Sequence, residues 1–294
     1  MVLNGTIRPI DLSMTKKTSP TMAIESGVLD CVVYAPDETP PLACLAGFPY
    51  FVLTVASIQV GHFVFLNNDM GFAGCLLYAL TYMCVVALDG LVNPSLGKNV
   101  RTLRANGFSD RYTLQMMLFN LLSNVLMTWL VFQKFSGPKA VNATLDLASY
   151  SVFTVAAIAA NLAMTEVVFY FAHKCLHEVL PHIHLMHHCV FAPTHSSNFI
   201  FDPIDFAFEL GLPTVALFVT HFGLWQEDHI VLLVSYMFIQ TFYALDHSDF
   251  LKLYHFHHHT RLDDVYTVYI KYRNPTNTKR EAVRKIIKRS TKVA

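Results

Sequence analysis

The chain has 294 residues, of which 53% are hydrophobic and only 14% charged, against about a quarter charged in an ordinary soluble domain. That deficit points to a membrane protein, and because 21 Lys and Arg offset 21 Asp and Glu, the balance gives no case for nucleic acid or an acidic substrate as partner. Cys31, Cys44, Cys75, Cys84, Cys175 and Cys189 form no C-x-x-C pair, which argues against a disulfide scaffold or a thiolate zinc site and reads them as small apolar residues.

Residues 1–40 read as a polar tail containing Pro and Thr. Arg8, Asp11, Lys16 and Lys17 precede any long apolar stretch, which does not fit a cleaved signal peptide, so the first span is expected to insert uncleaved. Apolar runs of bilayer length, about 20 residues, fall at 42–66, 71–93, 113–133 and 145–171. Two more, at 204–224 and 229–246, are interrupted or flanked by Asp205, Glu209, His221 and His229 and read as a tilted or partly buried hairpin. The expectation is an all-α multispan integral membrane protein with four to six transmembrane helices. A membrane-embedded domain at 41–270 lies between the tail and a basic segment at 271–294, with no internal repeat.

Lys and Arg in short loops stay cytosolic. The loop between the second and third spans holds Lys98, Arg101, Arg104 and Arg111, and the segment from Lys271 is strongly basic. Threading the spans then puts both termini, and the segments after 171 and 246, on the cytosolic face. Residues 279–289 set Val283, Ile286 and Ile287 among basic residues, either as an amphipathic helix on an anionic membrane or as a solvated tail that fixes topology. The sequon Asn4 is expected in the cytosol and Asn142 beside a span, so neither is expected to carry glycan.

Fifteen histidines are present, fourteen of them between His173 and His259. His173-x-x-x-His177 continues the fourth span, and residues four apart on a helix lie above one another. His184-x-x-His187-His188 and His255-x-x-His258-His259 repeat that stripe geometry. Eight imidazoles in three groups exceed the four ligands of a structural zinc, which usually include cysteines, so two metals are implied. Imidazole suits zinc, copper and iron. Twin metals at a membrane face beside apolar spans fit a redox-active iron pair that uses dioxygen on a lipid, whereas zinc leaves the second metal and the lipid face unexplained. His62, His182, His195, His221, His229 and His257 fit no such stripe and read as structural.

The series H-x-x-x-H, H-x-x-H-H, H-x-x-H-H on one side of a multispan chain resembles the fatty acid hydroxylase and sterol desaturase superfamily of membrane di-iron oxidases. The string from Glu166 through Phe169, Tyr170 and Phe171 to His177 is similar to that family's first box. Pro193-Thr194 and Phe201-x-Pro203-Ile204-Asp205 are similar to its sterol delta-five desaturase (lathosterol oxidase) branch, and Asp246-His247-Ser248 to its His-Ser element. The resemblance covers about residues 145–265. It implies a cytosolic histidine-rich helical cap holding two irons on His173, His177, His184, His187, His188, His247, His255, His258 and His259. It further implies dioxygen as co-substrate, a sterol or acyl lipid as substrate, residence in the endoplasmic reticulum, and NAD(P)H electrons delivered through a reductase and a small b-type cytochrome. The chain itself has no Gly-x-Gly-x-x-Gly, so nicotinamide is expected to act through that partner.

The chain departs from the pattern at Asp202, where the family usually has His and where a carboxylate can either bind metal or mark a lost ligand, and at Asp264-Val265-Tyr266, which replaces Asn-Tyr-Gly. Glu166, Asp202, Asp205, Asp246 and Asp249 are candidates to accept the free N–H of ligating rings. Helix capping or a polar membrane boundary is the rival role for each. Two other readings of the whole chain stand beside the oxidase. A catalytically silent scaffold is motivated by Asp202 and the altered third flank, though all eight box histidines are retained. A metal-ion transporter is the other, but the boxes sit at span ends rather than at mid-membrane.

Overall fold

A computed structural model of the chain describes residues 43–269 apart from 68–69, 94, 136–142, 191–192, 226–228, 249, 252, 262–265 and, for side chains, several helix-end positions including His257. The expectations for the two tails, Asn4, Asn142, Asp249 and Asp264-Val265 lie outside the described residues. Among the described residues every regular element is helical.

Helix α1 (Ala43–Val60) passes through a π-turn at Gly61–Leu66 and returns as α2 (Gly71–Val92). Gly74 is required there, because a Cβ at that position would stand 2.2 Å from the Phe65 carbonyl oxygen, closer than any real contact. The basic loop that follows is itself a short helix, α3 (Ser95–Ala105), before α4 (Asp110–Phe135). Helix α5 (Val152–Glu178) starts seven residues later than the apolar run begins. Asp146 caps the 3₁₀ turn Leu147–Ser149, and Ser151 and Thr154 form a capping box, so hydrogen-bonding side chains rather than hydropathy set the boundary. At its other end α5 runs past the expected 171, so the first histidine box occupies the last turns of the span itself.

Helix α6 (Pro181–His188) is short and starts on a proline, which fits a first helical position. Next, α7 is one rod built from Pro203–Phe206, a π-turn Ala207–Gly211, Leu212–Thr220 and a second π-turn His221–Trp225. Asp205 and Glu209 do not break it, because both carboxylates turn into the protein and are buried. Helices α8 (His229–Ala244) and α9 (Tyr254–Arg261) complete the order.

Among the described residues, five helical stretches are long and apolar enough to cross a membrane: Phe48–Leu66, Gly71–Val92, Asp110–Phe135, Val152–Glu178 and Pro203–Leu224. With 16 residues, α8 rises only about 24 Å, short of a hydrocarbon core about 30 Å thick. Leu80, Leu130, Val155 and Val215 lie exposed on the outer faces of the long helices, as surfaces that meet lipid do. Inside, Tyr78, Leu121, Phe132, Phe169 and Tyr236 form the main core. A second cluster joins Leu103 of α3 to Met186, Cys189, Val190 and Ile200, so the basic loop and the second histidine box occupy the same end of the bundle.

Candidate metal centre

Nine histidines from four segments meet at that end. His173 and His177 come from the last turns of α5, His184, His187 and His188 from α6, His247 from the turn after α8, and His255, His258 and His259 from α9. All nine are buried. His173, His177, His188 and His258 form one group, and His187, His247, His255 and His259 a second; within each, the ligand atoms lie within 4.8 Å of one another. His184 joins the first group, its Nε2 standing 3.1 Å from that of His173. The groups abut, with the His188 and His259 rings stacked at 4.8 Å.

The spacings do not describe a hydrogen-bond network. His177 Nε2 has the Nε2 atoms of His173, His188 and His258 at 3.1, 3.1 and 2.9 Å. His259 Nε2 has those of His187, His255 and His247 at 2.8, 3.1 and 3.2 Å. A neutral imidazole carries one N–H, so three nitrogens cannot all be satisfied around a fourth in this way. Nitrogens bound to a common ion at about 2.1 Å stand about 3.0 to 3.4 Å apart, and the observed values cluster at that separation. The donor set therefore fits a metal ion at each group. Protonation state agrees. Burial first, and the neighbouring rings after it, hold His187, His188, His255 and His259 well below the ordinary imidazole value, and burial with His195 takes His247 from 6.5 to about 3. Neutral rings with a free lone pair are what metal ligation needs.

Outer contacts fix several rings. Both oxygens of Asp205 lie 3.0 Å from His184 Nδ1, and His259 Nδ1 donates to the Val190 carbonyl at 3.1 Å. Each leaves Nε2 facing inward, as carboxylate and backbone-carbonyl partners do for metal-ligating histidines. Phe201 stacks on His187 at 4.0 Å, Phe169 meets His173 and His255 edge-on, and Tyr266 covers His173, His177 and His258. The loop that delivers Phe201 is tied to three helices. Asn120 of α4 donates to the Phe199 and Phe201 carbonyls at 3.0 Å, Asp89 of α2 accepts from Ser196 N at 2.7 Å, and Asn198 donates to the Tyr243 carbonyl of α8.

Of the other acidic candidates, Glu166 accepts the backbone N–H groups of Val268 and Tyr269 at 2.8 and 2.9 Å. It holds the stretch of chain after Tyr266 against α5. Asp246 stands 3.8 Å from His247 Nδ1, beyond hydrogen-bond reach. Asp202 lies in neither metal group. Its Oδ1 accepts from Ile204 N at 2.9 Å as the N-cap of α7, and a proline at the first helical position makes that cap favourable. His62, His182, His195, His221 and His229 also stand outside the groups. Sequence reasoning missed Glu209 as a member of the site: its carboxylate forms a third ligand group with His173 and His184. The available signal was a carboxylate one turn beyond Asp205 inside an apolar run, since an ionisable group there marks function by default.

Beside the centre is a small, partly open cavity of about 40 Å³, lined by Tyr82, Asn124, Phe169, Phe201, Glu209 and Tyr243 among others. Phe169, Phe201 and Glu209 belong to both cavity and centre. No protein-family model, curated protein or solved structure matches the chain. The architecture thus stands on its own residues: an all-helical protein with five helices of membrane-spanning character and two adjoining buried histidine groups able to hold metal.

Proposed function

We propose that this chain is a membrane-bound di-iron oxidase that hydroxylates or desaturates a lipid, most simply a sterol or acyl lipid, using dioxygen and electrons that originate from NAD(P)H. The observation that carries the reading is the convergence of nine buried Nε2 atoms into two adjoining groups beside an aromatic-lined cavity. A single structural ion has no use for nine imidazoles. The histidine spacings are those of the hydroxylase and desaturase superfamily that the sequence resembles, and the exposed apolar helices supply a lipid setting. These histidines would hold the iron pair, which when bound would supply the site where dioxygen is reduced by the delivered electrons.

The overall reaction balances as R–H with dioxygen, two electrons and two protons giving R–OH and water. Desaturation consumes the same oxidant and removes two hydrogens from adjacent carbons, giving an alkene and two waters. The chain's own residues prepare for it. Asp205 and the Val190 carbonyl orient His184 and His259, and Phe169, Phe201 and Tyr266 wall the ligand rings from water. A lipid C–H bond would approach the centre through the small cavity beside that wall, and dry surroundings would protect the oxidant from side reactions. The reductase and b-type cytochrome that the resemblance implies would dock at the end bearing α3, the cytosolic face of the endoplasmic reticulum membrane if the positive-inside rule holds.

Expression in a heterologous host under ¹⁸O₂, followed by mass spectrometry of the lipid extract, tests the reading. A new alcohol carrying one ¹⁸O, or a new alkene, absent in a His177→Ala host, is expected. An unchanged lipid profile in cells whose protein is loaded with two irons would overturn the oxidase and leave a silent metal-holding scaffold.

A further inference from the structure

The carboxylate of Glu209 lies between the two histidine groups, and no hydrogen bond accounts for it. Oε1 is 3.6 Å from His173 Nε2 and 3.8 Å from His184 Nδ1 on the side of the first group, while Oε2 is 3.7 Å from His187 Nε2 on the side of the second. All three separations exceed the 2.7–3.2 Å of an N–H···O bond. Oε1 is buried without any hydrogen-bond partner, although a buried carboxylate is costly unless a donor or a cation meets it. Its neighbour Asp205, one helical turn earlier, shows the alternative: that carboxylate closes to 3.0 Å on His184 Nδ1, so the local backbone allows hydrogen-bond contact and Glu209 does not use it. Atoms ligating one ion stand about 3.0 to 3.4 Å apart, and each Glu209 oxygen is within a few tenths of an ångström of that distance from one Nε2 of a different group.

We propose that Glu209 is a shared ligand of the two metal positions, one carboxylate oxygen to each. The proposal rests on the two-metal reading above and adds a residue type that the histidine boxes lack. A bridging carboxylate fixes the separation of the two ions and links them electronically. Because Glu209 also lines the cavity, the bridge sits in the wall where a bound molecule would meet the centre. Glu209 is four residues after Asp205, so helical spacing puts both carboxylates on one face, and it lies within the π-turn Ala207–Gly211, a feature frequent at functional sites.

The test uses the full chain, purified in detergent, stripped of metal and titrated anaerobically with ferrous iron, for wild type, Glu209→Gln and Glu209→Asp. Thermal unfolding of the metal-free proteins checks that each is folded. Wild type is expected to bind two ions with exchange coupling between them, read by magnetic susceptibility and parallel-mode EPR. The near-isosteric Glu209→Gln should lose the coupling and bind at least one ion about tenfold more weakly or worse. Glu209→Asp should retain coupling of altered strength, and it decides the matter if the Gln variant does not fold. Two ions bound to Glu209→Gln with wild-type affinity and coupling would overturn the bridge and leave the two-metal centre standing. Fewer than two ions on wild type would overturn both.

Discussion

Two sets of buried histidines in this bundle make an instructive contrast. His62 sits in the π-turn that ends α1, fully buried, stacked on Phe132 at 5.0 Å and edge-on to Tyr78 at 5.9 Å, with neither ring nitrogen hydrogen-bonded. His259 is buried to the same degree, yet its Nε2 has three other Nε2 atoms within 3.2 Å and its Nδ1 donates to a backbone carbonyl. Burial alone therefore does not mark a ligand. What separates the two is convergence: one imidazole is packed as an aromatic among aromatics, the other is one of several whose nitrogens converge where a metal ion could be held.

The contrast can be broken or sharpened by substitution. The largest effect is expected from His177→Ala and His259→Ala, each of which removes the hub of one group, so each variant should lose at least one of two bound ions by elemental analysis. Retention of both ions in either would break the comparison. Asp205→Asn comes next. It keeps the size of the side chain but weakens the partner of His184 Nδ1, so metal affinity by chelator competition should fall about 10- to 100-fold while the metal-free protein unfolds near the wild-type temperature. Glu166→Ala acts differently, by leaving the Val268 and Tyr269 N–H groups without their acceptor. At about 1–3 kcal/mol for each buried unsatisfied group, the variant should lose about 2 kcal/mol or more of stability in a thermal or chaotrope melt. His62→Leu, the smallest, should leave metal content unchanged and stability equal or higher, since an apolar group of similar size replaces an unsatisfied polar one. Loss of metal there would mean that distance from the centre does not protect it.

Acid sharpens the same point. In the metal-free protein the folded state keeps His187, His188, His255 and His259 neutral, and His247 down to about pH 3, whereas the unfolded chain protonates histidine below about 6.5. The unfolded state then binds more protons, so stability contributed by these rings is present above pH 6.5 and falls as the pH drops toward 3. Unfolding temperatures of metal-free protein should decline steadily across that window. A flat profile would mean that the rings are not held neutral by the fold.

Much of this was legible in the sequence. The spacings of the three boxes reflect helical periodicity, which lets i, i+3 and i, i+4 neighbours face a single target, and the helix that carries the first box forms where an apolar run suggests. The start of α5 was not legible from hydropathy, because Asp146 and Ser151 impose it through capping. The role of Asp202 was open in the sequence; in the structure its Oδ1 caps α7 through Ile204 N, a contact that depends on where the helix starts. Glu209 was visible only as an interruption of an apolar run, because its meaning depends on the tertiary contacts that set it facing His173 and His187. The tie from Glu166 to the Val268 and Tyr269 backbone depends on a contact across more than a hundred residues, which local pattern cannot carry.

The most direct measurement is metal content per chain of detergent-purified protein, for wild type and for a His187→Ala, His258→Ala double variant that removes one ligand from each group. Two irons per wild-type chain, lost from the folded double variant, is the result expected of two histidine-held positions. Well-folded wild type without metal, or with a single zinc, would contradict it.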